Sequence, residues 1–217
     1  MQEPDVVVVA AGRGPVVEVP AAPTVVAADG GADRALALGL SVDVVIGDLD
    51  SIAAETLARL EQDGVRVLGH PARKDATDLE LALDEAVRLG AGRVLVVASA
   101  EGRLDHLLAS LLLLASDRYA EVELDALVGG ALVHVVRGTR SLAGSPGELL
   151  TLLALGGPAA GVSTDGLAYP LRAETLDPGS SRGVSNVFEA PEATVTVDRG
   201  VLLAVRPDHA TGARGTS

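Results

Sequence analysis

The chain has no cysteine and no tryptophan, and its aromatic residues are Phe188, Tyr119 and Tyr169. The first absence excludes disulfides, thiolate metal sites and thiol nucleophiles, and it suits a reducing compartment. The second leaves no aromatic platform on which nucleic-acid bases could stack, so the core must be built from Val, Leu and Ala. Basic charge is also scarce: 17 Lys and Arg stand against 30 Asp and Glu, a net charge of −13 that argues against a nucleic acid as a general surface partner. Long apolar runs are missing too. Leu107 to Ala115 falls far short of the roughly 20 residues that span a bilayer. The acidic start, Met1 to Asp5, carries no signal-peptide pattern, and the reading is a soluble cytoplasmic protein without a membrane partner.

What is present is apolar and alternates. Hydrophobic residues make up 48% of the 217, enough for a substantial core. Five Val- and Ile-rich runs, Asp5 to Ala10, Thr24 to Ala28, Asp43 to Ile46, Val65 to Leu68 and Arg93 to Ala98, predict strands. Helical patterns lie between and after them: Ala32 to Leu38, Ala53 to Asp63, Asp78 to Leu89 and His106 to Ser116. The first three stop at Gly39, Gly64 and Gly90, residues suited to a left-handed helix cap. This alternation predicts a parallel α/β sheet. Beyond Tyr119 helical periodicity gives way to short extended runs, Glu121 to Val128, Ala131 to Val136, Glu148 to Ala154, Ala193 to Val197 and Val201 to Val205. The boundary is placed at residues 138/139, giving an α/β domain over 1–138 and an all-β domain over 139–217. Pro158 to Gly161, Asp177 to Arg182 and Asp198 to Gly200 read as turns, the last a tight hairpin, and Arg206 to Ser217 as a frayed tail.

The acidic residues fall in an informative place. Asp29 follows the second strand, Asp48 and Asp50 the third, Asp75 and Asp78 the fourth, and Asp105 the fifth. All then lie at the carboxyl edge of the sheet, where open parallel sheets bind ligands. Asp48 and Asp50 are two apart, which on an extended chain sets both carboxylates on one face, a clamp for a hard cation. The structural alternative is that Asp50-Ser51 caps a helix. Lys74-Asp75-Ala76-Thr77-Asp78-Leu79-Glu80 is a helix start with Asp75 or Thr77 as cap, and such an end also offers N–H groups to phosphate. Gly102-Arg103-Leu104-Asp105-His106 supplies a guanidinium suited to phosphate oxygens. Asp29-Gly30-Gly31 and Gly12-Arg13-Gly14 are glycine-rich turns. The chain contains neither a P-loop, nor a G-x-G-x-x-G fingerprint, nor a G-x-S-x-G elbow, and its four histidines lack metal-ligand spacing.

Together, Ala28-Asp29-Gly30-Gly31-Ala32, Gly47-Asp48-Leu49-Asp50-Ser51, Lys74-Asp75-Ala76-Thr77-Asp78 and Gly102-Arg103-Leu104-Asp105-His106 resemble the thiamine pyrophosphokinase family. Thr164 to Leu171 and Ser185-Asn186 look like its thiamine-side motifs. The resemblance implies a Rossmann-like domain followed by a β-sandwich, and a homodimer with active sites shared between subunits. It implies ATP as co-substrate, Mg²⁺ as cofactor and thiamine as acceptor. By motif position Asp48, Asp50 and Asp78 are the metal and catalytic carboxylates, with Asp105 and Arg103 also catalytic. Asp29, Gly30, Lys74, Thr77 and Arg103 are nucleotide contacts, and Thr164, Ser185 and Asn186 face thiamine. Lys74 stands where many relatives have Gln, and the Trp that animal members stack on the pyrimidine is missing. A diphosphokinase for a hydroxymethyl pterin and a non-catalytic nucleotide-binding relative are the competing readings.

Overall fold

The computed structural model describes residues 2–15, 18–73, 75–207 and 209. Lys74 and most of the expected tail therefore lie outside the described residues. The chain divides into two compact units, one of Gln2–Ser110 with Glu121–Gly129, the other of Leu111–Ala120 with the chain from Gly130 onward.

The first unit is built on parallel strands β1 (Val6–Ala10), β2 (Thr24–Ala28), β3 (Val44–Gly47), β4 (Arg66–Gly69), β5 (Arg93–Ala98) and β6 (Glu123–Val128). Their spatial order is β6-β5-β1-β2-β3-β4, and each adjacent pair runs parallel. Val6 to Val9 are buried without alternation, as a strand covered on both faces requires. Helices α1 (Gly31–Ala37), α2 (Ala54–Gln62), α3 (Asp78–Arg88) and α4 (Leu104–Leu114) complete the alternation. α1 packs on β1 and β2, and α3 on β1, β2 and β3. A Cβ on Gly31 would collide with the Val9 carbonyl oxygen, so glycine there sets how closely α1 meets β1.

The three expected glycine caps are present. Gly39, Gly64 and Gly90 all have φ near +80°, and the N–H after each, at Leu40, Val65 and Ala91, returns to the carbonyl five residues back. That is the Schellman pattern, which satisfies carbonyls the helix leaves open. The proposed Asp50-Ser51 cap is not found. α2 begins three residues later with Ala53 in the capping position, and its end is held by Asp33 of α1, which accepts from the Ala53 N–H at 3.0 Å and from the Thr56 hydroxyl.

The second unit is antiparallel, with strands β7 (Ala131–Ala143), β8 (Leu149–Ala154), β9 (Ala159–Asp165), β10 (Glu174–Leu176), β11 (Asn186–Val187) and β12 (Glu192–Arg206). β7 and β12 pair along their full lengths. On its other side β12 takes β9 along its first half and β8 along its second. β10 extends from β9 and β11 from β8. Residues of β7, β8, β9, β10 and β12 meet in one core with Phe188, 1% exposed.

Three expectations change here. Asp198 to Gly200 is not a hairpin: both flanking runs belong to β12 and pair with β7 in the same direction, so residues 198–201 form a bulge opposite Arg137. The bulge lets β12 change partners without reversing. β7 also runs unbroken through the expected boundary at 138/139, and the second unit starts at Gly130. Pro158 to Gly161, expected as a turn, instead leads straight into β9.

Candidate active site

Three carboxylates meet at the carboxyl ends of β2 and β3. Asp29, Asp48 and Asp78 each offer an oxygen, and these oxygens lie within 4.8 Å of one another. Each arrives by a different device. Asp29 follows β2 with φ of +47°, its N–H bonded to the Ile46 carbonyl of β3. Its carboxylate accepts from the Ser51 N–H at 3.2 Å, and Gly30 passes so close to Ser51 that a Cβ would stand 3.0 Å from its carbonyl oxygen. Asp48 follows Gly47, whose φ is +150°. Asp78 is the first residue of α3, just inside the cap in which Thr77 Oγ1 accepts from the Glu80 N–H at 3.2 Å.

Gly47 is what allows the three to converge. A Cβ there would lie 2.9 Å from Asp78 Oδ1 and 3.0 Å from Asp29 Cβ. Asp29 is 4% exposed, and burial raises its pKa above the usual carboxylate value; the Ser51 hydrogen bonds oppose that rise and the Asp78 charge adds to it. Carboxylates this close, one of them buried and two half-buried, repel unless a cation or protons neutralise them. An all-oxygen set is the ligand chemistry of Mg²⁺ or Ca²⁺, so the residues fit a hard divalent ion.

Sequence reasoning placed Asp48 and Asp78 in this group, with Asp50 as the third member. In the structure the third member is Asp29. Leu49 adopts φ of +64°, so the chain turns between Asp48 and Asp50 and the same-face rule for extended backbone does not hold. Asp50 is exposed and accepts from its neighbour's hydroxyl, Ser51 Oγ, at 2.8 Å. Asp75 is also exposed and outside the group. Arg103 and Asp105 form a two-pronged ion pair, Nε to Oδ1 at 3.1 Å and Nη2 to Oδ2 at 2.6 Å. Chiefly through the Arg103 hydrogen bond, the Asp105 pKa is lowered to about 2. Both side chains are largely exposed.

In the second unit Thr164 and Asn186 are buried and bonded to local backbone. Thr164 Oγ1 accepts from the Leu171 N–H at 2.9 Å. Asn186 Oδ1 accepts from the Tyr169 N–H at 3.0 Å, and its Nδ2 donates to the Tyr169 carbonyl at 2.8 Å. They hold the 164–171 loop in shape, and the side chain this loop presents is Tyr169, 61% exposed. Ser185, with φ of +58°, is exposed, and its N–H donates to Thr151 Oγ1 at 3.0 Å. Tyr169 is not among the residues expected from the sequence, although it is the one aromatic within Thr164 to Leu171.

The family model described as "Thiamin pyrophosphokinase, catalytic domain" matches residues 18–124. The model described as "Thiamin pyrophosphokinase, vitamin B1 binding domain" matches residues 134–202. Among curated relatives, the chain is 23% identical to thiamine pyrophosphokinase of Bacillus subtilis over 82% of this chain and 84% of that one. It is 24% identical to thiamine pyrophosphokinase 1 of Oryza sativa subsp. japonica, over 75% of this chain and 65% of that longer protein. Among solved structures, thiamine pyrophosphokinase from Bacillus subtilis matches with TM-score 0.80 and 21% identity, covering 93% of this chain and 97% of that one. Thiamin pyrophosphokinase from Geobacillus thermodenitrificans matches with TM-score 0.77 and 26% identity, over 93% and 96%. With both of its domain models matched in order over most of the sequence, the chain belongs to the thiamin pyrophosphokinase family.

Proposed function

We propose that the protein transfers pyrophosphate from ATP to the hydroxyl of thiamine, giving thiamine diphosphate and AMP. The observation that carries this reading is the convergence of Asp29, Asp48 and Asp78 in a chain that matches both thiamin pyrophosphokinase domain models. On this reading the first unit is a Rossmann-like ATP- and metal-binding domain and the second a β-sandwich that binds thiamine.

Asp29, Asp48 and Asp78 would hold Mg²⁺, which when bound supplies neutralising charge to phosphate oxygens. Asp50, exposed on the same loop, is left to face the substrate. Thiamine's alcohol attacks the β-phosphorus in line and AMP leaves; catalysis is positioning and charge stabilisation. Arg103 exchanges its bond to Asp105 for a phosphate oxygen, and Asp105 keeps the guanidinium oriented until then. Gly30 and Thr77 frame the nucleotide, and Lys74, three positions before Thr77 in the sequence, is the remaining nucleotide contact. In the second unit Ser185, Asn186 and Thr164 form the thiamine side, the two buried residues acting by holding the loop that carries Tyr169. The acidity of the chain, −13 overall, suits a cationic thiazolium.

The active species on this reading is a cytoplasmic homodimer with sites shared between subunits. Leu104, Leu108 and Leu112 of α4 support a dimer: they recur every four residues, so they share one helix face, and they are 67%, 51% and 57% exposed. The test of the reaction is an ATP-dependent assay with thiamine and a hydroxymethyl pterin side by side, reading AMP. AMP with thiamine alone supports the proposal. AMP with the pterin alone would favour the pterin diphosphokinase, and no AMP with either would remove the assignment.

A further inference from the structure

The segment from Gly47 to Ser51 is tied at both ends. The Gly47 carbonyl accepts from the His70 N–H, just past β4, at 2.7 Å, and the Ser51 N–H donates to the Asp29 carboxylate at 3.2 Å. Asp48, Leu49 and Asp50 lie between the two ties. Asp29 stands beside Gly47, its Cβ 3.0 Å from where a Cβ on Gly47 would be. Four extended steps from Gly47 would carry Ser51 about 13 Å away, out of reach of Asp29. The observed path turns back instead, and the turn is made at Leu49, whose φ is +64°.

Leucine is a costly residue for such a turn. A left-handed backbone crowds Cβ against the following carbonyl oxygen, and glycine or asparagine takes that conformation far more readily. Strain of this kind persists where the surrounding structure over-determines it, and it gathers at functional sites. Here the two ties impose the turn, and the half-buried Leu49 side chain anchors it: Cδ1 lies 3.8 Å from where a Cβ on Gly69, at the end of β4, would stand. The bond from Asp29 to Ile46 fixes the Asp29 backbone, whereas the bond from Ser51 acts on the carboxylate itself.

We propose that Leu49 is a positioning residue for the metal group: its left-handed turn returns the Ser51 N–H to Asp29 and so fixes that carboxylate beside Asp48 and Asp78. The proposal rests on the metal-binding reading given above and adds to it a residue that offers no ligand atom. Leu49 acts through its backbone conformation, which separates this role from that of an apolar residue kept for packing.

Two substitutions distinguish these roles, because the roles rank them in opposite order. Leu49→Ile keeps the apolar bulk, but its branched Cβ resists the left-handed region. Leu49→Asn gives up the apolar contact and tolerates the left-handed region. Mn²⁺ calorimetry reads the metal group, and hydrogen exchange followed by NMR in EDTA reads the Ser51 N–H. Leu49→Asn should bind Mn²⁺ within about threefold of wild type and Leu49→Ile about tenfold or more weaker, the scale of lost ligand orientation. Ser51 N–H exchange should be faster in Leu49→Ile and unchanged in Leu49→Asn. Unchanged affinity in Leu49→Ile, weaker binding by Leu49→Asn than by Leu49→Ile, or Ser51 exchange alike in both overturns the proposal. If Leu49→Ile fails to fold, Leu49→Gly serves, since glycine takes the turn with no side chain at all. Affinity within about threefold of wild type then supports the backbone role, and a loss of about tenfold overturns it. Failure of the metal reading looks different. A wild type without Mn²⁺ affinity, whose Ser51 protection is lost in Leu49→Ile and kept in Leu49→Asn, would remove the ion and leave the positioning of Asp29 standing. Mn²⁺ binding lost in Asp48→Asn but unchanged in Leu49→Ile would do the reverse.

Discussion

Gly47→Ala probes the convergence of the three carboxylates without removing any of them. Alanine at φ of +150° is strained, which contributes about 1–3 kcal/mol of destabilisation. The new Cβ would also meet Asp78 Oδ1 at 2.9 Å and Asp29 Cβ at 3.0 Å. Asp29 cannot retreat, being fixed through its backbone to Ile46 and through its carboxylate to Ser51. Asp78 can rotate away. If it stays, the variant loses about 3 kcal/mol in total; if it swings out, stability loss falls to the backbone part and metal affinity drops about tenfold or more, the scale seen when ligand positioning is lost. Gly39→Ala is the control, because its φ is +76° with nothing within 4 Å of a Cβ, leaving about 1 kcal/mol of strain alone. Urea unfolding and Mn²⁺ calorimetry on both variants decide the matter. A Gly47→Ala protein as stable as Gly39→Ala, with wild-type Mn²⁺ affinity, would refute the geometry.

Asp78→Asn should stay within about 1 kcal/mol of wild-type stability, since Thr77 and not Asp78 is the cap of α3, while activity falls by orders of magnitude; a destabilised but active enzyme would make Asp78 structural. Glu85, 5% exposed, accepts from Arg88 at 2.6 Å and pairs with Arg66, and these partners, Arg88 first, hold its pKa below the usual 4.5 despite burial. A lowered carboxylate pKa stabilises the fold above the unfolded-state value and ceases to do so as pH falls through the folded-state value. Urea midpoints should therefore drop between about pH 5 and pH 3 less steeply in Glu85→Gln than in wild type, and parallel profiles would contradict this. Arg206, 8% exposed, binds Glu148 at 2.6 Å and lies over the Phe188 ring. Arg206→Met should cost about 2–4 kcal/mol by stranding Glu148, and adding Glu148→Gln should recover part of it; strict additivity in thermal melts would show the pair to be uncoupled.

The first unit was readable because its signals are local and agree. Unbroken apolar runs marked strands buried on both faces, and glycine after each of the first three helices marked their ends. The second unit was less readable because its pairing is decided at long range. Asp198-Arg199-Gly200 has the composition of a tight turn, yet β7 on one side and β9 and β8 on the other keep both halves of β12 aligned and make it a bulge. β10 and β11 are three and two residues long, too short for alternation to register, and exist through the strands they extend. The acidic site shows the same division. That Asp29, Asp48 and Asp78 stand at strand and helix ends follows from the sequence; which three meet depends on the left-handed turn at Leu49, a residue type with no preference for it. Thr164 and Asn186 were recognised by motif, but their bonds to the backbone of the 164–171 loop are visible only once the loop is folded.

The central claim is transfer of an intact pyrophosphate from ATP to thiamine, and ³¹P NMR of the products of one reaction tests it most directly. Purified protein with ATP, Mg²⁺ and thiamine should give thiamine diphosphate and AMP in equal amounts, with neither ADP nor thiamine monophosphate at early times. ADP together with thiamine monophosphate would mean single-phosphoryl transfer. Either that result or unreacted thiamine would contradict the account.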